Sequence, residues 1–198
     1  MKMDMIFATH NRHKVSEVQA MLPAGIHVRS LSDLGCDEDI PETADTLQGN
    51  ALQKAQFVRE RYHCNCFADD TGLEIDALDG RPGVYSARYA GEGCSFDDNV
   101  RKVLAELEGL PFEKRTARFR CVVSLIEDGV LSVFEGTCEG HIALRESDGV
   151  QGFGYDSIFV PIGLDVTLAE ISIEEKNALS HRGKAIRMLQ CHLLQNHG

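Results

Sequence analysis

Near the end of the sequence, Lys176, His181, Arg182 and Lys184 crowd into Glu174–Ala185, in a chain of 198 residues with a formal net charge of −11. Cations gathered in so acidic a protein point to a local anion. A nucleic-acid backbone is a poor candidate, because neutralising it needs a basic surface and an acidic one repels a polyanion. A small anion with its charge at one end, such as a triphosphate, is matched by a few converging Lys and Arg donors. Taken alone, the run also reads as a solvated helix face.

Four other segments offer related chemistry. Thr9-His10-Asn11-Arg12-His13-Lys14 sits where a strand is expected to give way to a helix, whose unpaired N–H groups attract phosphate. It lacks the glycines of a Walker loop and equally suits a plain N-cap with a solvated lysine. Asp69 and Asp70, in Ala-Asp-Asp-Thr-Gly, offer the hard oxygens that Mg²⁺ prefers, with Glu42 as a partner from a separate loop. A type I turn with a capping Asp explains the same letters. Gly80–Tyr89 reads as a rigid loop followed by tyrosines around Arg88. In Gly152-Phe153-Gly154-Tyr155-Asp156 the glycines admit close backbone approach and the rings present stacking faces for a base; a strand entry with a bulge is the alternative.

These segments need elements to carry them. Met5–Thr9 reads as a strand, followed by a helix with Val15, Val18 and Leu22 at helical spacing. A second helix is expected over about 46–62, then a short strand, Cys66–Ala68, ending at the paired aspartates. Ser95 caps a third helix that closes near Gly109 and Pro111. Asp128-Gly129 is a strong hairpin signal between strands at Arg118–Ile126 and Val130–Phe134, and Gly140–Leu144 offers a further strand. Ser172-x-x-Glu175 forms a possible capping box, and Ala185, Met188, Leu189 and His192 mark a last amphipathic helix after Ser180. The pattern is α/β with a sheet that is at least partly antiparallel.

Length and a hydrophobic content of 43% allow a substantial core, as one domain over 1–198 or as two lobes sharing a cleft. The first ten residues do not read as a signal peptide, and no apolar run reaches the roughly 20 residues that span a bilayer. The expectation is a cytoplasmic protein without membrane or nucleic-acid partners. Seven cysteines without framework spacing suit a reducing compartment, and Cys64-Asn65-Cys66 lacks the second pair that a zinc finger needs.

In order, spacing and residue type, the segments together resemble the inosine/xanthosine triphosphate pyrophosphatase family from Phe7 to Lys184. The matching motifs are Ala-Thr-x-Asn-x-x-Lys, Pro-Glu-Thr, Ala-Asp-Asp-Thr-Gly-Leu, Pro-Gly-x-Tyr-Ser-Ala-Arg-Tyr, Gly-Phe-Gly-Tyr-Asp and Glu-Lys-x-x-x-Ser-His-Arg. The resemblance implies an elongated mixed β-sheet with flanking helices and two lobes around a central nucleotide cleft. It also implies a homodimer using Mg²⁺ to hydrolyse purine nucleoside triphosphates such as ITP, dITP and XTP. By the same resemblance Asp70 is metal ligand and proton acceptor, and Glu42 completes the metal set. Thr9 to Lys14, Lys54, Thr71, Phe153 to Asp156, Lys176, His181 and Arg182 bind substrate. Within that scheme Lys14, Lys54 and Lys176 are expected on the leaving pyrophosphate and Arg182 on the base. His10 replaces a glycine common in the family, which bears on the first loop's geometry. A pyrimidine-specific pyrophosphatase of the septum-inhibitor type, a non-catalytic nucleotide-binding module and a zinc hydrolase are the competing readings.

Overall fold

A computed structural model describes residues 3–197. The strands are β1 (Met3–Phe7), β2 (Ile26–Arg29), β3 (Cys66–Ile75), β4 (Thr116–Glu127), β5 (Val130–Ile142) and β6 (Phe159–Pro161). The helices are α1 (Arg12–Met21), α2 (Leu47–Tyr62), α3 (Phe96–Glu106), α4 (Ile173–Leu179) and α5 (His181–His197). The strands follow the order β2-β1-β3-β4-β5-β6. β1 runs parallel to β2 and β3, while β5 and β6 are antiparallel. The protein is thus a mixed α/β fold with flanking helices.

The chain divides into two compact units. The first comprises Met1–Asp70, Cys121–Gly136 and Arg182–Gly198; the second comprises Thr71–Arg120 and Thr137–His181. In the first unit, strand alternation sorts the core into two layers. Phe7, Phe67, Cys121, Val123 and Leu125 pack with Val18 of α1 and Ala185, Ile186 and Leu189 of α5. Ile6, Ala8, Cys66, Ala68 and Ile126 pack with Ala55 and Val58 of α2. Phe7 and Phe67 are register partners and their rings stack at 4.5 Å between centroids. The second unit gathers Leu73 and Ile75 of β3, Val100 and Val103 of α3, and Phe119, Ile142 and Phe159 around a separate core.

Local chemistry sets the element ends. The Thr46 side chain caps α2 by accepting from the Gly49 N–H, and Ser95 and Ser172 each complete a capping box, with Asp98 and Glu175. Asp128 and Gly129 both have positive φ, 49° and 83°, as a type I′ hairpin between β4 and β5 requires.

Three expectations change. β3 does not stop at Ala68 but runs through both aspartates to Ile75. β5 continues from Val130 to Ile142, where the sequence predicts two short strands, Val130–Phe134 and Gly140–Leu144. Met188 does not join the buried stripe of α5 and is 47% exposed.

Candidate active site

Because β3 continues past Ala68, Asp69 and Asp70 are consecutive strand residues whose side chains leave opposite faces. Each finds its own lysine. Asp69, 1% exposed, accepts from Lys14 Nζ of α1 at 2.7 Å and from Arg182 Nε of α5 at 3.2 Å. Burial alone would push its carboxyl up, but the charges of Lys14 and Arg182 outweigh it and hold the group well below the usual carboxylate range. Arg182 Nη1 also donates to Glu17 Oε2 at 2.6 Å. Asp69 is therefore a buried anchor that fixes α1 and the start of α5 to β3.

Asp70 lies on the α2 side. Its Oδ1 accepts from Lys54 Nζ at 3.2 Å and its Oδ2 from Asn50 Nδ2 at 3.1 Å. Lys54 Nζ also donates to Glu42 Oε1 at 2.5 Å. One ammonium thus draws together two carboxylates from separate segments. The two partners shift differently for a physical reason. For Lys54, burial disfavours the charge, but Asp70 and Glu42 both support it and the group moves up. Asp70 is raised mainly by burial; Lys54 opposes this, and the Glu42 charge adds to it. Asp70 thus holds a proton more readily than a solvated aspartate does.

Asp70 and Glu42 form a hard, all-oxygen donor pair, which suits Mg²⁺ rather than a thiophilic ion. Among the described residues no group of three or more His, Cys, Asp or Glu side chains is arranged to hold a metal ion. Two carboxylates are a number of protein donors that Mg²⁺ commonly takes.

The first loop is ordered by its own side chains. Asn11 caps α1, its Oδ1 accepting from the His13 and Lys14 N–H groups, while Thr9 Oγ1 accepts from the Asn11 N–H. Arg12 and His13 are exposed on the first turn. His10 is also exposed, with Nε2 at 3.0 Å from the Glu38 carbonyl oxygen. Among the described residues the non-glycine positions with positive φ are His63, Asp79 and Asp128. Histidine in place of glycine at position 10 therefore brings no left-handed strain.

A second group lies within the other unit. Asp156 Oδ2 accepts from the Phe153 N–H and from Lys176 Nζ, each at 2.8 Å, and Lys176 Nζ stands 5.2 Å from the centroid of the Phe153 ring. Gly152 has φ 81°, and a Cβ there would lie 2.1 Å from Asp156 Oδ2 and 3.1 Å from Lys176 Nζ. Glycine is thus required both for the turn and for the ion pair beside it. Gly154 shares the positive φ, at 68°. Tyr155 does not present a stacking face: it is buried in the core, and its hydroxyl donates to the Ser86 carbonyl at 2.8 Å. His181 is buried and stacks on Phe119 at 4.6 Å, and Thr71 is half-buried on β3.

The structure places two of the expected substrate cations beside protein carboxylates. Arg182, expected on the base, commits two of its nitrogens to Asp69 and Glu17. Lys176, expected beside Lys14 and Lys54, bonds Asp156 and covers Phe153. Asn50 and Glu17 escaped the sequence reading. Their signal was spacing: Asn50 lies one turn before Lys54, and Glu17 one turn after Lys14.

The model of the Ham1 family matches residues 5–192. The dITP/XTP pyrophosphatase of Flavobacterium johnsoniae is 50% identical over 187 residues, which cover 94% of this chain and 96% of that protein. The enzyme of the same name from Porphyromonas gingivalis is 53% identical over 190 residues, covering 96% and 97%. Among solved structures, the Ham1 protein of Staphylococcus aureus superposes with a TM-score of 0.86 at 40% identity, covering 98% of this chain and 99% of that one. A HAM1 protein from Coxiella burnetii gives 0.88 at 36% identity, with the same coverage. The likeness spans both residue groups, the carboxylate–lysine set on β3 and the Phe153–Asp156–Lys176 set alike, and the chain belongs to the Ham1 family.

Proposed function

We propose that the chain hydrolyses deaminated purine nucleoside triphosphates, ITP, dITP and XTP, to the monophosphate and pyrophosphate with Mg²⁺. The observation that carries the reading is the separation of roles on β3, where Asp69 is locked to Lys14 and Arg182 while Asp70 shares Lys54 with Glu42. Relatives at about half identity over nearly the whole chain bear the name dITP/XTP pyrophosphatase, which supports the substrate class.

In this reaction water attacks the α-phosphorus, the bond from that phosphorus to the bridging oxygen breaks, and pyrophosphate leaves with the bond electrons. Asp70 orients the water and takes its proton on a carboxylate oxygen. Asp70 and Glu42 hold Mg²⁺, which when bound neutralises phosphate charge and acidifies water. Lys14 and Lys54, positioned by Asp69 and by Asp70 with Glu42, supply charge to the departing pyrophosphate. The Thr9–Lys14 loop contributes its ordered first turn to the same phosphates.

Base selection is assigned to Phe153, Asp156 and Lys176. Hypoxanthine and xanthine present an acceptor at position 6 beside a donor at N1. An ammonium next to a carboxylate presents the complementary donor and acceptor, with the Phe153 ring as stacking surface. Adenine reverses both groups and would leave each buried charge mismatched, at about 1–3 kcal/mol per group. By the family reading the working form is a cytoplasmic homodimer. No helix of the described residues is long and apolar enough to cross a membrane.

The direct test is pyrophosphate release from dITP, dATP, dGTP and dTTP, with Mg²⁺ and with chelator. Turnover of dITP should exceed that of dATP by about a hundredfold or more and should vanish in chelator. Equal rates on dITP and dATP would remove the base assignment, and full activity in chelator would remove the metal.

A further inference from the structure

Phe96 belongs to none of the motifs that identify the family, yet it is a large apolar ring 45% exposed in an acidic stretch, Ser95-Phe96-Asp97-Asp98. A single exposed phenylalanine needs no explanation by itself. This one touches the base-reading group: its ring lies 5.9 Å from that of Phe153 between centroids, with the planes tilted by 40°. Such a spacing lies within the range of favourable aromatic pairs.

The mount that holds Phe96 is rigid. It is the first residue of α3, directly after the capping box in which Ser95 Oγ accepts from the Asp98 N–H and Asp98 Oδ2 accepts from Ser95. One turn on, Asn99 is buried; its Oδ1 accepts from the Ala90 N–H at 2.7 Å and its Nδ2 donates to the Ala87 carbonyl at 3.2 Å. The helix start is therefore tied to the chain before it, which fixes where the Phe96 backbone stands. Phe153 is fixed as well, by its own N–H on Asp156 and by Lys176 over its ring.

We infer that Phe96 is a specificity-determining residue, which with Phe153 forms a two-ring platform matched to a bicyclic purine and too wide for a one-ring pyrimidine. The inference rests on the assignment of Phe153 to the base. The physical ground is area: an exposed ring held beside a stacking ring extends the apolar surface that a base covers, and a bicycle covers more of it than a monocycle.

Uracil separates ring area from edge chemistry, because its O4 and N3–H repeat the acceptor and donor of hypoxanthine on a single ring. The test compares kcat and KM for dITP, dUTP and dATP in the full-length wild-type protein and in Phe96→Ala, Phe96→Tyr and Phe153→Ala, with the thermal midpoint of each measured alongside. In Phe96→Ala the preference for dITP over dUTP should fall about tenfold, carried by the KM for dITP, while the preference for dITP over dATP stays as it was. Phe96→Tyr should restore the wild-type ratio. If Phe153→Ala raises the KM for dITP and Phe96→Ala leaves the dITP to dUTP ratio unchanged, Phe96 has no part in selection although the base assignment stands. If Phe153→Ala leaves the KM for dITP unchanged, the base lies elsewhere and the platform falls with it. An equal loss of kcat on all three substrates in Phe96→Ala, not restored by tyrosine, would mark a purely structural residue and also overturn the inference.

Discussion

Asp69 and Asp70 are chemically identical neighbours, and what separates them is the face of β3 from which each emerges. Replacing each by asparagine should therefore give opposite phenotypes. Under the proposed function, Asp70→Asn removes the proton acceptor and one of the two proposed metal donors, while leaving a neutral side chain in a site where burial already disfavours charge. Turnover should fall to background with the thermal midpoint unchanged or raised. Asp69→Asn takes the carboxylate from Lys14 and leaves Arg182 with Glu17 alone, at a site where Asp69 is 1% exposed. Breaking such a pair costs about 3–5 kcal/mol, which at this chain length is about 10 °C in the midpoint. Scanning calorimetry with a pyrophosphate assay reads both. A stable, inactive Asp69→Asn beside a destabilised, active Asp70→Asn would reverse the two roles. Gly152→Ala adds a third check on single residues: its Cβ would strike Asp156 Oδ2, so dITP binding should be lost without a large change in fold.

At the scale of elements, short α4 carries Lys176 and depends on its cap. Ser172 accepts from the Glu175 N–H, and Glu175 accepts from the Ser172 N–H and hydroxyl. Ser172→Ala should cost about 1 kcal/mol. The Ser172 backbone N–H and then its hydroxyl hold the Glu175 carboxyl below its ordinary value. A depressed folded-state pKa means that this contribution is complete above the unfolded value and fades as pH drops through the folded one. The gap in urea midpoint between wild type and Ser172→Ala should thus be wider at pH 7 than at pH 3; a gap that widens in acid would show that the carboxylate does not support the cap. This box was legible in the sequence because both partners lie within one turn, and so were the Ser95 cap and the Asp128-Gly129 turn. What was hidden depended on distant partners. Asp-Asp-Thr-Gly reads as a turn because Asp and Gly are poor strand formers. Lys14, Lys54 and Arg182, far apart in sequence, neutralise the carboxylates and let the strand run on. The glycines at 136 and 140 likewise look like a strand end. β5 nevertheless continues, because it pairs with β6 through Gly140, where the backbone passes so close that a Cβ would meet the Val160 carbonyl at 2.4 Å.

For the molecule as a whole, the governing quantity is charge. A formal net charge of −11 makes a long polyanion an unfavourable partner, so the fitting substrate is the free nucleotide and not the same base inside a nucleic acid. The phosphate-side group does not reverse this by itself. Asp69, Asp70, Glu42 and Glu17 stand against Lys14, Lys54 and Arg182, four carboxylates to three cations, and every one of those cations already bonds a carboxylate. A lone triphosphate approaching this group meets a small excess of negative charge inside a negative protein, at separations below the roughly 8 Å over which salt screens. Under the proposed function, Asp70 and Glu42 would hold a divalent cation, whose charge would turn the excess positive and let Lys14 and Lys54 exchange carboxylate for phosphate. On that proposal the ion would be needed for binding as well as for chemistry. Calorimetric titration with a dITP analogue whose α,β-bridge is an imido group, and so is not cleaved, separates the two. With Mg²⁺ the analogue should bind, and in chelator its Kd should weaken about a hundredfold or more, roughly 3 kcal/mol. Affinity in chelator within about threefold of the Mg²⁺ value would mean that Lys14 and Lys54 capture the phosphates unaided, and would confine the ion to the hydrolytic step.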